Sequence, residues 1–308
     1  MKLLNYNSII HVILVIFIAL VSSLSINIFY SSNAFEHNLK NNKIGFSING
    51  AEVISGYPLE GNLIVAKTNP NYQIELENEP LEMSKDGIFV IGFHRDSNKN
   101  FLLNIKTDNG GEMSTKLVAK KRAYNIQRIN GLKQSMVSPP KEVLERINSD
   151  SLIVKEARKN NNPLGDFWQG FDWPVIGHIS SVFGSQRILN NKPRSPHYGV
   201  DIAAPKGTLI SAPSSGTITL AKDLYFSGLT VILNHGLGVN SSFLHLDEIR
   251  VNEGDQIERG EIIGTLGDSG RSTGPHLDWR IDWKGRRLDA ALLAGPMPKF
   301  PEKIILSD

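Results

Sequence analysis

The 308-residue sequence contains no cysteine. A disulfide framework and a zinc site built from thiolates are therefore excluded, while the cellular compartment stays undecided on redox grounds. Neither sign of charge is in large excess, because 33 basic and 31 acidic residues give a net charge of +2. This balance gives no indication of a nucleic-acid partner. The sequence has neither a Gly-x-Ser-x-Gly elbow nor a phosphate-binding loop, which disfavours serine-hydrolase and nucleotide chemistry.

Residues 1–34 have the pattern of a secretory signal or a membrane anchor. Lys2 precedes an apolar run over residues 9–21, and the small residues Ser32 and Ala34 flank a candidate cleavage site. This order is typical of a signal peptide. Further apolar residues extend the run toward membrane-spanning length, so an uncleaved anchor in the inner membrane is the alternative. Either interpretation places the rest of the chain in the periplasm or on the extracytoplasmic face of the membrane.

The segment 43–122 has the pattern of short β-strands separated by turns. Glycine, Asn-Pro and Asp-Gly positions interrupt apolar and β-branched runs, and this spacing predicts a small antiparallel sandwich. The candidate strands are 46–48, 62–66, 73–76, 88–93 and 101–105. No catalytic cluster is evident in this segment. His94 and the adjacent Arg95 and Asp96 are interpreted as surface polar groups.

A helical connector is predicted over 138–162, followed by a second domain over 167–295. Two prolines open the connector, apolar residues recur in it at near-helical spacing, and asparagines before Pro163 end it. The second domain is rich in glycine-separated strands and holds the clustered histidines. The expected fold class is therefore mainly β, with a sandwich, a connecting helix and an antiparallel sheet that carries a groove. Trp279 and Trp283 are expected in the core, and His178 and His235 are expected to be structural or solvent-facing.

Two short motifs in the second domain combine histidine with aspartate. His197 and Asp201 are four residues apart, and His276 and Asp278 are two apart in a run that alternates like a strand. Residues i and i+2 of a strand share a face, so the second pair can meet the first across a sheet. Zn²⁺ accepts nitrogen and oxygen ligands of this kind, and a catalytic site keeps one position for water. The pattern indicates a metal-dependent hydrolase.

The second domain resembles the lysostaphin/LytM-type family of zinc metallopeptidases, which cleave peptide crosslinks or stems of the bacterial cell wall. The resemblance rests on ordered motifs at 173–177, 181–184, 197–208, 243–246, 254–270 and 272–277. The N-terminal segment also resembles the small Ig-like domain that precedes such peptidase domains in some Gram-negative members. The resemblance implies that His197 and Asp201 are the first two zinc ligands. It also implies that His245 and His276 handle protons and stabilise the tetrahedral intermediate.

The sequence departs from the family pattern at the third ligand, where a histidine is expected and Asp278 stands. A carboxylate oxygen is an acceptable zinc ligand at a similar distance. Two carboxylates would neutralise the metal formally, which should weaken its Lewis acidity and raise the pKa of its bound water. In the alternative, Asp278 pairs with its same-face neighbour Arg280 and leaves the metal with two ligands.

The resemblance thus implies a zinc-dependent metalloendopeptidase that acts on peptidoglycan and uses His197, Asp201 and Asp278 as ligands. One Zn²⁺ per chain is expected, and Mn²⁺ would suit the same donor set. The alternative hypothesis is a metal-free, catalytically inactive envelope scaffold. Such a protein would bind and activate a cell-wall amidase, or contact the division machinery, through the same groove.

Overall fold

The computed structural model describes residues 46–97, 100–130, 139–159 and 165–299. Antiparallel sheets make up most of this part of the chain, and the predicted mainly β fold class is confirmed. The expected signal or anchor over 1–34 and both ends of the expected connector lie outside the described residues. Across the described ranges, every helix is too short or too polar to span a bilayer.

The N-terminal half contains the strands β1 (Glu52–Ser55), β2 (Leu63–Lys67), β3 (Gln73–Leu76), β4 (Glu79–Pro80), β5 (Ile88–Gly92), β6 (Asn100–Lys106) and β7 (Glu112–Val118). They form two antiparallel sheets, in the orders β1-β2-β5 and β4-β3-β6-β7. Exposed and buried residues alternate over the first four residues of β6, as expected for a strand with one face on a core. The Ig-like resemblance of this half stays a prediction.

The strand expected at 46–48 is wrong. Ile48 only bridges Ala51 across a tight turn, and the regular strand begins at Glu52. The turn needs a residue with positive φ, which Gly50 supplies at 81°. A three-residue segment next to such a turn is therefore too short to form a regular strand.

The connector contains helix α1 (Leu144–Ala157), which follows a 3₁₀ turn at Lys141–Val143. The helix packs on the outer part of the C-terminal sheet through a small apolar cluster of Ile153, Val154, Ala157, Leu220, Leu224 and Ile232. Asp150 accepts a hydrogen bond from the backbone N–H of Tyr225 at 2.7 Å. At its end, Arg158 forms a 2.8 Å ion pair with the buried Asp282. These contacts fix α1 along one side of the sheet.

The elements of the C-terminal half are β8 (Ile126–Ile129), β9 (His178–Ser181), β10 (Gln186–Leu189), β11 (Lys192–Pro193), β12 (Val200–Ala203), β13 (Leu209–Ser211), β14 (Gly216–Leu224), β15 (Gly228–Gly236), β16 (Val239–Ile249), β17 (Gln256–Ile257), β18 (Ile262–Leu266), β19 (Leu277–Trp283), β20 (Arg286–Leu288) and the short helix α2 (Ala290–Ala294). They are built on a large antiparallel sheet with the central order β17-β14-β15-β16-β19-β12-β9. In a separate small sheet, a parallel pairing of β8 with β10 joins the chain before the connector to this half.

Strand β19 lies between β12 and β16, and its register aligns the polar motifs. Asp278 is opposite Asp201 of β12 on one side and Leu244 of β16 on the other. Alternation along β19 then directs Trp279 and Trp283 to the opposite face, where they are 0% and 2% exposed. Both tryptophans therefore lie in the core, and the aspartates share the other face.

One continuous apolar core runs through both halves of the chain. Trp283 packs so tightly on the N-terminal sheet that a Cβ added to Gly92 would lie 2.9 Å from its ring. The side chain of Arg286 donates a hydrogen bond to the Gly92 carbonyl at 3.1 Å. The two halves thus stabilise each other by direct packing rather than through the connector alone.

The interpretation of His94 and Arg95 as surface groups is wrong. His94 accepts a hydrogen bond at Nδ1 from the backbone N–H of Arg287 at 3.0 Å, and its ring lies 5.6 Å from that of Tyr198. Burial at this junction lowers the pKa of His94. Arg95 donates a 2.7 Å hydrogen bond to the carbonyl of Gly184. Both residues are half-buried because the N-terminal half packs against the segment that carries His197.

Candidate metal centre and active site

Three of the predicted site residues converge on one point of the sheet. His197 lies just before β12, Asp201 lies in β12, and Asp278 lies in the adjacent strand β19. One potential ligand atom from each residue lies within 4.8 Å of the other two, and all three residues are buried. Such a cluster of one imidazole and two carboxylates could hold a divalent metal ion.

Two of these donors present polar atoms that the surrounding protein does not satisfy. Nε2 of His197 and Oδ1 of Asp201 are buried and lack a hydrogen-bond partner among the described residues. They lie 3.0 Å from each other. The other ring nitrogen of His197, Nδ1, is 3.0 Å from the hydroxyl of Ser181, which fixes the ring orientation. Buried polar atoms without partners are costly, so this pair fits a metal ion.

Asp278 has a different environment, because its carboxylate is paired with Arg280. Nε of Arg280 donates to both carboxylate oxygens, at 3.0 and 3.1 Å, and Nη2 donates to Oδ2 as well. Oδ2 of Asp278 is also 3.5 Å from Nε2 of His197. The pairing that the sequence left as an alternative is therefore present, although Asp278 still faces the other two donors.

The charges around the cluster shift the pKa values of two of its members. Burial opposes the protonated form of His197, but the nearby Asp278 and Asp201 outweigh it and raise the pKa of the imidazole. Burial alone would raise the pKa of Asp278, yet the positive charges of Arg280 and His197 hold it well below its usual range. Asp278 is therefore a carboxylate at neutral pH.

His245 and His276 lie together beside the three donors, with ring centroids 4.9 Å apart. His245 has a φ of 66°, an uncommon backbone conformation for a histidine, between Phe243 and Leu246, where the pairing of β16 with β15 shifts register. Its Nδ1 donates to the carbonyl of Ser269 at 2.8 Å, and Nδ1 of His276 donates to the carbonyl of Gly274 at 2.8 Å. Nε2 of His276 is 3.9 Å from Oδ1 of Asp201. The structure thus brings together all five predicted site residues.

Four of the five residues, Asp201, His245, His276 and Asp278, line a groove of about 660 Å³ that runs between the sheet and α1. The helix contributes Ile147, Asp150 and Val154 to one wall. The loop that carries Ser272 and His276 forms part of the lining as well.

One residue next to the cluster was not predicted. Arg187 of β10 donates from Nη2 to Oδ2 of Asp201 at 3.4 Å and lines the groove. No local pattern marks it, since β10 pairs with β8 and β11 and reaches Asp201 only through the tertiary fold. An arginine on a short strand has many other uses, so the sequence offered no signal for this contact.

His235, which the sequence predicted to be structural or solvent-facing, is fully buried away from the groove. Nδ1 donates to the carbonyl of Ser215 at 2.8 Å, and Nε2 lies 2.8 Å from the hydroxyl of Ser241. Burial lowers the pKa of His235 to about 4. Its ordinary value is about 6.5. Between about pH 4 and 6.5 the imidazole is therefore neutral in the folded protein and protonated in the unfolded chain.

We expect this difference in pKa to lower the free energy of unfolding as the pH decreases. A folded pKa below the unfolded one contributes stability above about pH 6.5, and the contribution is lost as pH falls toward about 4. Since each pKa unit corresponds to about 1.36 kcal/mol, the free energy of unfolding should fall by about 3 kcal/mol over this range. Urea unfolding of the wild type and His235→Gln at pH 7.5, 6, 5 and 4.5 measures it. The variant should have a flatter pH profile, and identical slopes would contradict the assignment.

Comparison with known proteins identifies the class of the C-terminal half. Residues 195–290 match the model of Peptidase family M23. The chain therefore carries a domain of this metallopeptidase family, and the predicted lysostaphin/LytM-type relationship is confirmed. The matched residues include the three clustered donors and both groove histidines.

Particular relatives extend the comparison. The peptidoglycan DD-endopeptidase ShyA of Vibrio cholerae is 30% identical over 186 residues, which are 60% of this chain and 42% of ShyA. The DD-carboxypeptidase/endopeptidase Mpg of Neisseria meningitidis is 36% identical over 128 residues, 42% of this chain and 30% of Mpg. The chain thus spans less than half the length of these curated relatives. A crystal structure from Pseudomonas aeruginosa, described as an M23 peptidase, matches with a TM-score of 0.60 and 29% identity, over 78% of this chain and 96% of that one.

Proposed function

We propose that this protein is a metal-dependent endopeptidase that hydrolyses peptide bonds in peptidoglycan stems or crosslinks. The observation that carries the proposal is the convergence of His197, Asp201 and Asp278 beside the groove, next to the histidine pair. The peptidoglycan DD-endopeptidase activity named for ShyA supports the substrate class. Zn²⁺, one per chain, suits one imidazole and two carboxylates, and Mn²⁺ is the alternative.

His197, Asp201 and Asp278 would hold the metal, which supplies the Lewis acidity that polarises a scissile carbonyl. His245 is the proposed proton carrier. Burial lowers its pKa and so keeps it neutral at physiological pH, and Nδ1 is committed to the Ser269 carbonyl. Nε2 is then the atom that takes a proton from the attacking water and returns it to the leaving amine.

His276 is the proposed oxyanion stabiliser. Its Nδ1 is held by the Gly274 carbonyl, with the Ser272 hydroxyl 3.2 Å away. The ring is thereby fixed beside His245, and Nε2 would donate to a developing negative charge in the imidazolium form, in which both ring nitrogens carry a proton. A fixed donor of this kind acts without reorganising during the reaction.

The proposed location follows from the substrate. Peptidoglycan lies outside the cytoplasmic membrane, so export by a signal over residues 1–34, or anchoring by the same segment, would bring the domain to it. The N-terminal half would position the peptidase domain in the envelope, and its Ig-like character is part of this proposal.

The pairing of Asp278 with Arg280 favours a second candidate function. If Arg280 holds Asp278 permanently, two ligands remain and the groove would serve as a metal-free binding site for a cell-wall amidase. An Asp278→His exchange separates the two hypotheses. Under the first hypothesis the exchange would change the level of a peptidase activity that the wild type already has. Under the second hypothesis the wild type is inactive, and the exchange would create activity.

The proposal is tested by incubating the purified chain with isolated peptidoglycan and identifying released peptides by mass spectrometry. We expect cleaved stem or crosslink peptides, loss of products after chelation, and recovery on adding Zn²⁺. Asp201→Ala should abolish cleavage because it removes a buried ligand, whereas Asp223→Ala, at a side chain 60% exposed, is the matched control. Products that survive both chelation and Asp201→Ala would contradict metal dependence. No products from metal-loaded protein would contradict the peptidase.

A further inference from the structure

We infer that Arg187 and Arg280 act as built-in counter-ions of the metal centre, so that Arg280 in particular holds the metal affinity of the site low. The inference rests on the proposed function and adds a control on the same site. The inference concerns how tightly the site binds a metal ion. Arg280 is assigned as a positioning residue that competes with the metal for Asp278.

The first observation is that the pair of Asp278 and Arg280 is built into the sheet. Asp278 is 3% exposed and receives hydrogen bonds on both carboxylate oxygens from the same guanidinium. The absence of a side chain at Gly199 makes room for the pair. A Cβ added there would lie 2.1 Å from Oδ1 of Asp278 and 2.7 Å from Cγ of Arg280.

The second observation concerns charge. Asp201 and Asp278 are the two acidic members of the donor set, and each contacts one arginine, Arg187 or Arg280. The two carboxylates are therefore balanced before any metal binds. A divalent ion would bring two uncompensated positive charges into a buried site, where charges are screened weakly and desolvation is costly.

The third observation is that the two arginines hold their partners unequally. Arg187 makes one long contact of 3.4 Å to Asp201, and Oδ1 of that carboxylate still lacks a hydrogen-bond partner among the described residues. Arg280 engages both oxygens of Asp278. Its side chain is 27% exposed and lines the groove, so the guanidinium has space to move away from the buried carboxylate. Arg280 is therefore the main competitor.

The experiment is a Zn²⁺ titration of the full chain in competition with a chromophoric chelator. We expect Arg280→Gln to bind Zn²⁺ at least tenfold more tightly than the wild type, and Arg187→Gln to show a smaller gain. Arg280→Lys keeps the charge and should stay near the wild type. Arg250→Gln is the matched control, since Arg250 is 44% exposed and pairs with Glu248 away from the donors. Unchanged or weaker binding by Arg280→Gln would overturn the inference.

A second measurement covers the case in which Arg280→Gln folds poorly without metal. Asp278 then remains as a buried, unpaired carboxylate, which is destabilising. Because a ligand that binds the folded state raises Tm, Zn²⁺ should raise the Tm of Arg280→Gln by more than that of the wild type. An equal or smaller Zn²⁺-induced shift would count against the inference.

Peptidoglycan digestion, measured on the same preparations, separates this inference from the proposed function. Metal-dependent digestion by the wild type with equal Zn²⁺ affinities in wild type and Arg280→Gln would overturn the inference alone. Tighter binding by Arg280→Gln without digestion by any metal-loaded protein would support the inference and overturn the peptidase.

Discussion

Replacing His245 with alanine is expected to lower the rate of peptidoglycan cleavage by about 10²- to 10⁴-fold, the usual contribution of a positioned acid–base group. The residue is 7% exposed and lines the groove next to His276. Its backbone is held at a φ of 66°, and an uncommon conformation maintained at a groove is typical of a functional position. The measurement is the initial rate of peptide release by the zinc-loaded proteins.

The Zn²⁺ affinity of the same variant distinguishes proton transfer from metal binding. Because His245 is not among the three clustered donors, His245→Ala should bind zinc within about threefold of the wild type, a change of less than 1 kcal/mol. His178→Ala is the matched control, since His178 is exposed on β9 outside the groove lining. An unchanged cleavage rate would contradict the assigned role, and a large loss of zinc would make His245 a ligand.

Replacing Trp283 with alanine is expected to lower the free energy of unfolding by about 3–5 kcal/mol, as for other fully buried tryptophans. Trp283 is 2% exposed, packs on Gly92 of the N-terminal sheet and donates from Nε1 to the carbonyl of Leu237 at 3.0 Å. Truncation would leave a cavity between the two halves and an unpaired carbonyl. Both effects destabilise the junction rather than one half alone.

Urea unfolding followed by circular dichroism measures this loss. Leu152→Ala on α1 is the control, because Leu152 is 67% exposed and should change stability by less than about 0.5 kcal/mol. If the two halves share one core, the wild type should unfold in a single transition. A loss below about 1 kcal/mol for Trp283→Ala would show that the halves are stable independently, contrary to the packing seen here.

The site was more predictable from the sequence than the contacts that surround it. The spacing of His197 and Asp201, and strand alternation around Asp278, predicted that these side chains can meet across a sheet, whereas their roles as donors came from the resemblance to the peptidase family. Those patterns are local, with periods fixed by backbone geometry. The ion pair of Asp278 and Arg280 could also be foreseen as one of two alternatives, because residues two apart on a strand are neighbours.

The strand and the contacts that were not predicted depend on tertiary packing. Strand β7 is mostly polar and exposed, so it has little of the apolar signal that marks a strand. His94 is half-buried because Tyr198 and β20 pack against it from more than 100 residues away in sequence. Arg187 reaches Asp201 through a strand pairing that no local pattern encodes. Long-range packing of this kind cannot be inferred from periodicity or spacing.

The most direct test of the central claim is an anomalous difference map at the zinc edge, from crystals of the full chain grown with Zn²⁺. We expect a peak about 2 Å from Nε2 of His197 and from carboxylate oxygens of Asp201 and Asp278, with Arg280 turned away from Asp278. A map without a peak among these three residues, and with the pair of Asp278 and Arg280 intact at saturating Zn²⁺, would contradict it.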